Sequence, residues 1–256
     1  FVLVAAVVRL KRGTVFLPPR ALSGRTSPLT LAVHKLLCSL SAASLWRDKA
    51  SLDAVGVGSL APDIAFAGPR SLGEPFRERK TLLISLRGHQ PYPSGEWLAG
   101  VSGWAESSGL RTVTFAQVRA DIARNRQLAS DLGGEYIEWE GDALQHEAKL
   151  RDCYSRASLV VSDRLHVLIL SSLQGATPFE LVESPRPKVR EHFREIGLHG
   201  VSVDAGPLTR AEIAAHLEAQ ASPERNAEVV HCGLLAASRL EDAKSELRLS
   251  ISESQG

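Results

Sequence analysis

The strongest chemical pattern in the sequence runs from Leu159 to Phe179. An apolar run, Leu159-Val-Val-Ser162, leads into Asp163, Arg164, Leu165 and His166, and then into an apolar stretch that stops at Gly175. That order reads as a buried strand, a capping pair, a helix and a glycine stop before the next strand. With Ser162 or Asp163 as N-cap, Arg164 and His166 fall in the first helical turn, at the carboxyl end of the strand. Free backbone N–H groups and the helix dipole favour an anion at such a point, so an arginine and a histidine there suit a phosphate or a carboxylate. The same spacing also allows Arg164 to pair with Asp163 or a neighbouring carboxylate, and His166 to be a satisfied, half-buried histidine.

These residues need a sheet to hold them. Short β-branched runs alternate with longer helical patterns from about Thr14 to Val203, the signature of βα units on a parallel sheet, so the fold class is α/β. Strands are predicted at Thr14–Leu17, Thr81–Leu86, Thr112–Phe115, Tyr136–Trp139, Leu159–Ser162 and Phe179–Val182. Helices are predicted at Pro28–Leu40, Glu96–Ser107, Ala120–Leu132, Ala143–Ser155, Arg164–Leu173 and Lys188–Ile196. Arg119, Arg124 and Arg126 alternate with Asp121 on one of these helices and read as a solvated face. A Gly/Pro/charge-rich stretch, 67–80, separates two α/β blocks. The expected organisation is an N-terminal α/β domain at 1–75, a second Rossmann-like domain at 76–206, and closing helices at 207–256 broken at Ser222-Pro-Glu. The first block is short for a doubly wound domain, and the 256 residues include no methionine, so the N-terminal domain is expected to be incomplete.

Bulk composition bounds the partners. Thirty basic against twenty-nine acidic residues give a formal charge of +1, which points away from nucleic acid and leaves any positive site local. Cys38, Cys153 and Cys232 form no Cys-x-x-Cys pair, which argues against a disulfide framework or thiolate metal site and for a reducing, cytoplasmic compartment. The apolar opening, Phe1 to Val8, is too short to span a bilayer. No integral membrane segment is expected, which leaves room for peripheral association at the inner face of a membrane.

The segment Ser162-Asp-Arg-Leu-His166, the apolar helix after it, Gly175-x-x-Pro178, and Lys188 ahead of Ile196-Gly-Leu resemble the signature region of the polysaccharide pyruvyl transferases. The likeness extends more weakly along the chain. Thr81-Leu-Leu-Ile-Ser-Leu-Arg87 is similar to a family strand ending in a functional arginine. Trp46-Arg-Asp-Lys-Ala-Ser51, with Pro62-Asp63, resembles its Arg-Asp-x-x-Ser and Pro-Asp elements. Leu17-Pro18 resembles a Leu-Pro-Gln-Ser element, but Pro19 and Arg20 follow, and the family's Gly/Asn-rich opening motif is absent.

The resemblance implies a GT-B-like fold, two Rossmann-type domains facing a cleft, with phosphoenolpyruvate as donor substrate, no cofactor or metal, and a sugar or lipid-linked saccharide as acceptor. The product would be a pyruvate ketal on a cell-surface polysaccharide or its precursor. Arg87, Arg164 and His166 are then the expected catalytic residues. Guanidinium forks bind phosphate and carboxylate bidentately, and a histidine with an unperturbed pKa of roughly 6.5 can take and give protons near neutrality. Ser162, Lys188, His89, Arg47, Asp48 and Glu183 are the further expected substrate contacts: Lys188 for phosphate, His89, Arg47 and Asp48 for the acceptor, Glu183 for a sugar hydroxyl. Against these stand plainer readings: a solvated lysine, a loop histidine, a helix cap with an ion pair, and a rim carboxylate. The competing functions are a GT-B glycosyltransferase using a nucleotide sugar and a non-catalytic glycan-binding relative. Neither a Gly-x-Gly-x-x-Gly after a strand, a Walker pattern nor a paired-aspartate metal motif is present.

Overall fold

A computed structural model describes residues 1–22, 26–71 and 75–253. The chain divides into two compact units, one of residues 1–67, 194–197 and 234 onward, the other of residues 68–193 and 198–233. The division between Ala67 and Gly68 falls at the start of the Gly/Pro-rich stretch, eight residues ahead of the boundary expected after residue 75.

The smaller unit contains α1 (Val2–Leu10), β1 (Phe16–Arg20), α2 (Pro28–Ser39), β2 (Ala43–Trp46), α3 (Lys49–Val55) and β3 (Ser59–Leu60). Its three strands pair in parallel in the order β1-β2-β3. Cys38, Trp46 and Val55 are its buried centre, and the Arg20 guanidinium lies 4.1 Å from the Trp46 ring, a cation–π contact. Two of these strands escaped sequence reading because they are four and two residues long, below the length at which alternation shows.

The larger unit contains β4 (Thr81–Ser85), α4 (Gly95–Ser107), β5 (Arg111–Thr114), α5 (Ile122–Asp131), β6 (Glu135–Tyr136), α6 (Ala143–Arg156), β7 (Ala157–Ser162) and α7 (Leu165–Leu173). It continues with β8 (Thr177–Val182), most of α8 (Pro187–Glu195), β9 (Ser202–Asp204), α9 (Arg210–Gln220) and the start of α10 (Pro223–Glu253). The strands form one parallel sheet in the order β6-β5-β4-β7-β8-β9. Every residue of β4 and β7 is buried, as continuous apolar runs require when helices cover both faces of a parallel sheet. Helix α4 packs Trp97, Val101 and Trp104 into this core, where Ile213 and Leu217 of α9 meet them. The approach is close enough that a Cβ on Gly100 would stand 2.9 Å from the Arg210 carbonyl oxygen and 2.8 Å from Ile213, so only glycine fits there. The closing helices break between Gln220 and Pro223, at the Ser222-Pro-Glu signal, but α9 is part of the larger unit and α10 begins there and joins the smaller unit from Leu234.

The strand order decides where a ligand can sit. From β4 the chain proceeds outward through β5 and β6; from β7 it proceeds the opposite way through β8 and β9. The reversal point lies between β4 and β7, and a parallel sheet opens a crevice outside the carboxyl ends of the two strands that flank it. Arg87 follows β4, and Asp163, Arg164 and His166 follow β7.

Candidate functional site

The backbone at this edge is fixed by three buried polar side chains. Asn125 of α5 accepts from the Leu86 amide at 2.9 Å and donates to the Leu86 and Asp121 carbonyls, each at 2.9 Å, closing the end of β4 as another strand would. Asp121 accepts from the Gly88 amide at 2.9 Å, and Asp163 from the Arg87 amide at 3.0 Å. Arg124 donates to the carbonyls of Gly88, Gln90 and Pro91 at 3.2, 2.6 and 2.8 Å, and lies 5.0 Å from the Tyr92 ring. The reading of Asp121 and Arg124 as a solvated face is therefore corrected: Asp121 is 1% exposed, and Arg124 turns inward to pin the loop after β4.

Arg164 is placed differently from expectation. Helix α7 begins at Leu165 with Arg164 as its N-cap residue, and no side chain caps it. Ser162, expected to cap the helix or meet substrate, is fully buried; its hydroxyl donates to the Ser85 carbonyl at 2.5 Å and accepts from the Arg164 amide at 3.1 Å. That ties β7 to β4 and leaves Ser162 no face on the crevice. The Arg164 guanidinium reaches Asp121, its Nε 2.5 Å from Oδ2, so the neighbouring-carboxylate reading holds for this side chain.

Arg87 keeps donors available. Its Nε lies 3.8 Å from Asp163 Oδ2, and its two Nη groups have no protein partner among the described residues. With Tyr92, Trp97, Arg124, Asp163, Glu180, Glu183 and Arg186, it lines a hollow that encloses about 50 Å³. That is far below the roughly 300–1,000 Å³ of a pocket for a whole drug-sized molecule, and of the order of one small anionic group. Glu183, at the exposed rim, is on this hollow as expected. The turn after it is pinned through Ser184, whose amide donates to Asp204 at 3.0 Å and whose φ is +52°.

Glu180, which sequence reading passed over, is the unusual group here. It is 1% exposed on β8, and its Oε2 accepts from the Ser202 hydroxyl at 2.5 Å. Burial pushes its pKa up to about 7; Ser202, Arg87 and Arg190 pull it down and Asp163 pushes it up. Burial likewise raises Asp163, against Arg87, Arg164 and backbone donors. A charged residue between Phe179 and Leu181 in an apolar strand was the one signal the sequence carried for Glu180.

The other expected residues are spread more widely. His166, second in α7, is exposed at the same sheet edge, outside the hollow's lining, as is His89 in the loop after Arg87. Lys188 is exposed in the first turn of α8, two residues past the hollow's last lining residue, and its carbonyl meets His192 Nδ1 at 2.8 Å. Arg47 and Asp48 belong to the smaller unit. Asp48 caps α3, accepting from the Ser51 amide at 2.7 Å and hydroxyl at 2.9 Å, and Arg47 pairs with buried Asp63 at 2.5 Å. Both carboxylate oxygens of Asp48 thus serve the start of α3, the helix-cap reading of this residue. Among the described residues no group of three His, Cys, Asp or Glu side chains could hold a metal ion, and no helix is long and apolar enough to cross a membrane.

No protein-family model matches this chain, and no curated protein matches it in sequence. Solved structures do. A putative UDP-N-acetylglucosamine 2-epimerase from Listeria monocytogenes superposes at a TM-score of 0.55 with 14% identity, over 96% of this chain and 72% of that one. Anabaena Alr3699/HepE in complex with UDP gives 0.55 with 10% identity over 98% and 76%, and UDP-GlcNAc 2-epimerase from Neisseria meningitidis gives 0.54 with 11% identity over 96% and 72%. The fold is GT-B-like. This chain spans 56% of the glycotransferase of kitacinnamycin and 46% of the E. coli heptosyltransferase WaaC. At these identities the likeness is one of architecture: two Rossmann-type α/β units, the second with its crevice at the β4/β7 reversal.

Proposed function

We propose that this chain is a transferase that binds a small phosphate-bearing donor at the β4/β7 crevice, and that the donor is phosphoenolpyruvate, its pyruvyl group passing to a pair of saccharide hydroxyls. The observation that carries the proposal is the hollow itself: two unpartnered guanidinium nitrogens of Arg87, with Arg186 nearby, beside about 50 Å³ of space and a carboxyl group titrating near 7. That combination suits a compact dianion and a proton transfer. The resemblance of Ser162 to His166 and of Thr81 to Arg87 to the pyruvyl transferases supports the same donor.

The reaction asks each part for something definite. One acceptor oxygen bonds the central carbon of the donor, the phosphate leaves with the electron pair of its C–O bond, and the second oxygen closes the ketal. Of the two hydroxyl protons released, the balance puts one on the methylene carbon, now a methyl, and one on phosphate. Arg87 would hold the leaving phosphate or the carboxylate, and Asp163 and Asp121 hold the Arg87 and Gly88 amides of the turn that presents it. His166, exposed at the same edge, would serve the acceptor hydroxyls.

A second reading, a glycosyltransferase or epimerase acting on a nucleotide sugar, is favoured by the neighbours, two of which are described with UDP or UDP-GlcNAc bound. Melting curves with phosphoenolpyruvate, UDP and UDP-GlcNAc separate the two, because a ligand of the native state raises its melting temperature. Phosphoenolpyruvate is expected to raise it, and Arg87→Lys to weaken that donor about tenfold or more by losing the planar fork. A shift with UDP-GlcNAc and none with phosphoenolpyruvate would overturn the pyruvyl reading.

A further inference from the structure

Glu180 and Asp163 place two carboxyl groups on one small hollow that also presents Arg87. Asp163 has fixed work, holding the Arg87 amide at 3.0 Å. Glu180 has a single hydrogen-bond donor among the described residues, the Ser202 hydroxyl, and sits at 1% exposure in the apolar strand β8. The charged groups facing it are Asp163 on the β7–α7 turn, Arg87 after β4, Glu183 and Arg186 after β8, Arg190 on α8, and Arg124 on α5, whose guanidinium is taken up by three carbonyls. An anion arriving at Arg87 neutralises the one cation that Asp163 and Glu180 share. Two ionised carboxylates and an anion in a water-poor hollow repel, and the group with the fewest donors yields by taking a proton.

We propose that Glu180 is the proton-carrying group of this hollow, becoming a neutral carboxylic acid as an anion seats against Arg87. Anion binding and proton uptake are then one event. The proposal rests on the proposed function only for the identity of the anion: where that anion is phosphoenolpyruvate, the proton held by Glu180 is the one the methylene carbon requires, and Glu180 rather than His166 stores it. A carboxyl that is neutral before the donor reacts and ionised after phosphate leaves would favour both steps by the same charge balance.

The test is calorimetric titration of the whole chain with sulfate, which does not titrate near neutrality, and with phosphoenolpyruvate, in two buffers of different ionisation enthalpy. At pH 7.5 the wild type is expected to take up about 0.5–0.7 proton per sulfate bound, the share set by a free pKa near 7 that rises on binding. Glu180→Gln is expected to take up none, and to bind sulfate about tenfold more tightly at pH 8.5, since no second carboxylate remains to be neutralised. Ser202→Ala removes a hydrogen bond that favours the ionised form, so its uptake is expected to centre at higher pH than that of the wild type. This variant decides the matter if Glu180→Gln, checked by circular dichroism, does not fold. Equal uptake in wild type and Glu180→Gln, an unmoved centre in Ser202→Ala, or no sulfate binding at all overturns the proposal. Uptake with sulfate but no binding of phosphoenolpyruvate leaves Glu180 in its role and removes the pyruvyl donor. Binding of phosphoenolpyruvate without uptake does the reverse.

Discussion

Replacing Glu180 by glutamine should shift the stability of the variant relative to the wild type in the variant's favour by about 3 kcal/mol between pH 4 and pH 8. The carboxyl group's ordinary value is 4.5, and burial on β8 lifts it to about 7 in the folded state. Between those values the folded chain holds a proton that the unfolded chain has lost, so stability falls as pH rises through the window and the loss is complete above pH 7. A displacement of this size corresponds to about 3 kcal/mol at pH 8, at about 1.4 kcal/mol for each unit. For a cooperative unit of this size that is about 6–12 °C in melting temperature. Glutamine keeps an oxygen for the Ser202 hydroxyl, now 2.5 Å from Glu180, but adds an amide N–H₂ that the site does not satisfy. That second cost is independent of pH, so the pH dependence isolates the ionisation. The assay is urea unfolding of both proteins at pH 4, 6 and 8. A difference between variant and wild type that is the same at all three values would refute the account of Glu180 as a buried acid.

Asp121→Ala leaves the Arg164 guanidinium and the Gly88 amide without their acceptor inside the sheet edge, and should cost about 3–5 kcal/mol, read from the urea midpoint, as breaking a buried pair does. Asp48→Ala removes the cap of α3 and should cost about 0.5–2 kcal/mol while leaving the KM for the saccharide acceptor unchanged; a raised acceptor KM on folded protein would assign Asp48 to the acceptor. His166→Gln should lower turnover of the folded protein with phosphoenolpyruvate and a saccharide acceptor by roughly 10²–10⁴-fold, as loss of a proton-moving group does. Preserved turnover in that variant removes His166 from the mechanism.

By itself the sequence determined what local chemistry and period can determine. The apolar runs at Thr81–Leu86 and Leu159–Ser162 read as strands and are buried strands of the sheet, β4 and β7, and Gly175, at φ +80°, ends α7 where a glycine stop was expected. The break before Pro223 was equally legible, because proline and a serine punctuate a helix wherever they stand. Arg87 was legible as a residue at a strand end. What the sequence could not decide was pairing at a distance. Asp121 and Arg164 are 43 positions apart, and the strand order that brings α5 against the end of β7 is a property of the whole sheet. Whether an arginine serves a ligand or a carboxylate depends on that neighbour, so Arg164 is occupied and Arg87 retains its Nη donors. Glu180 is the clearest case. A glutamate in β8 carries no sign of its protonation in its own segment, and it becomes an acid near pH 7 only because β7 and β9 flank it and exclude the water that would keep it ionised.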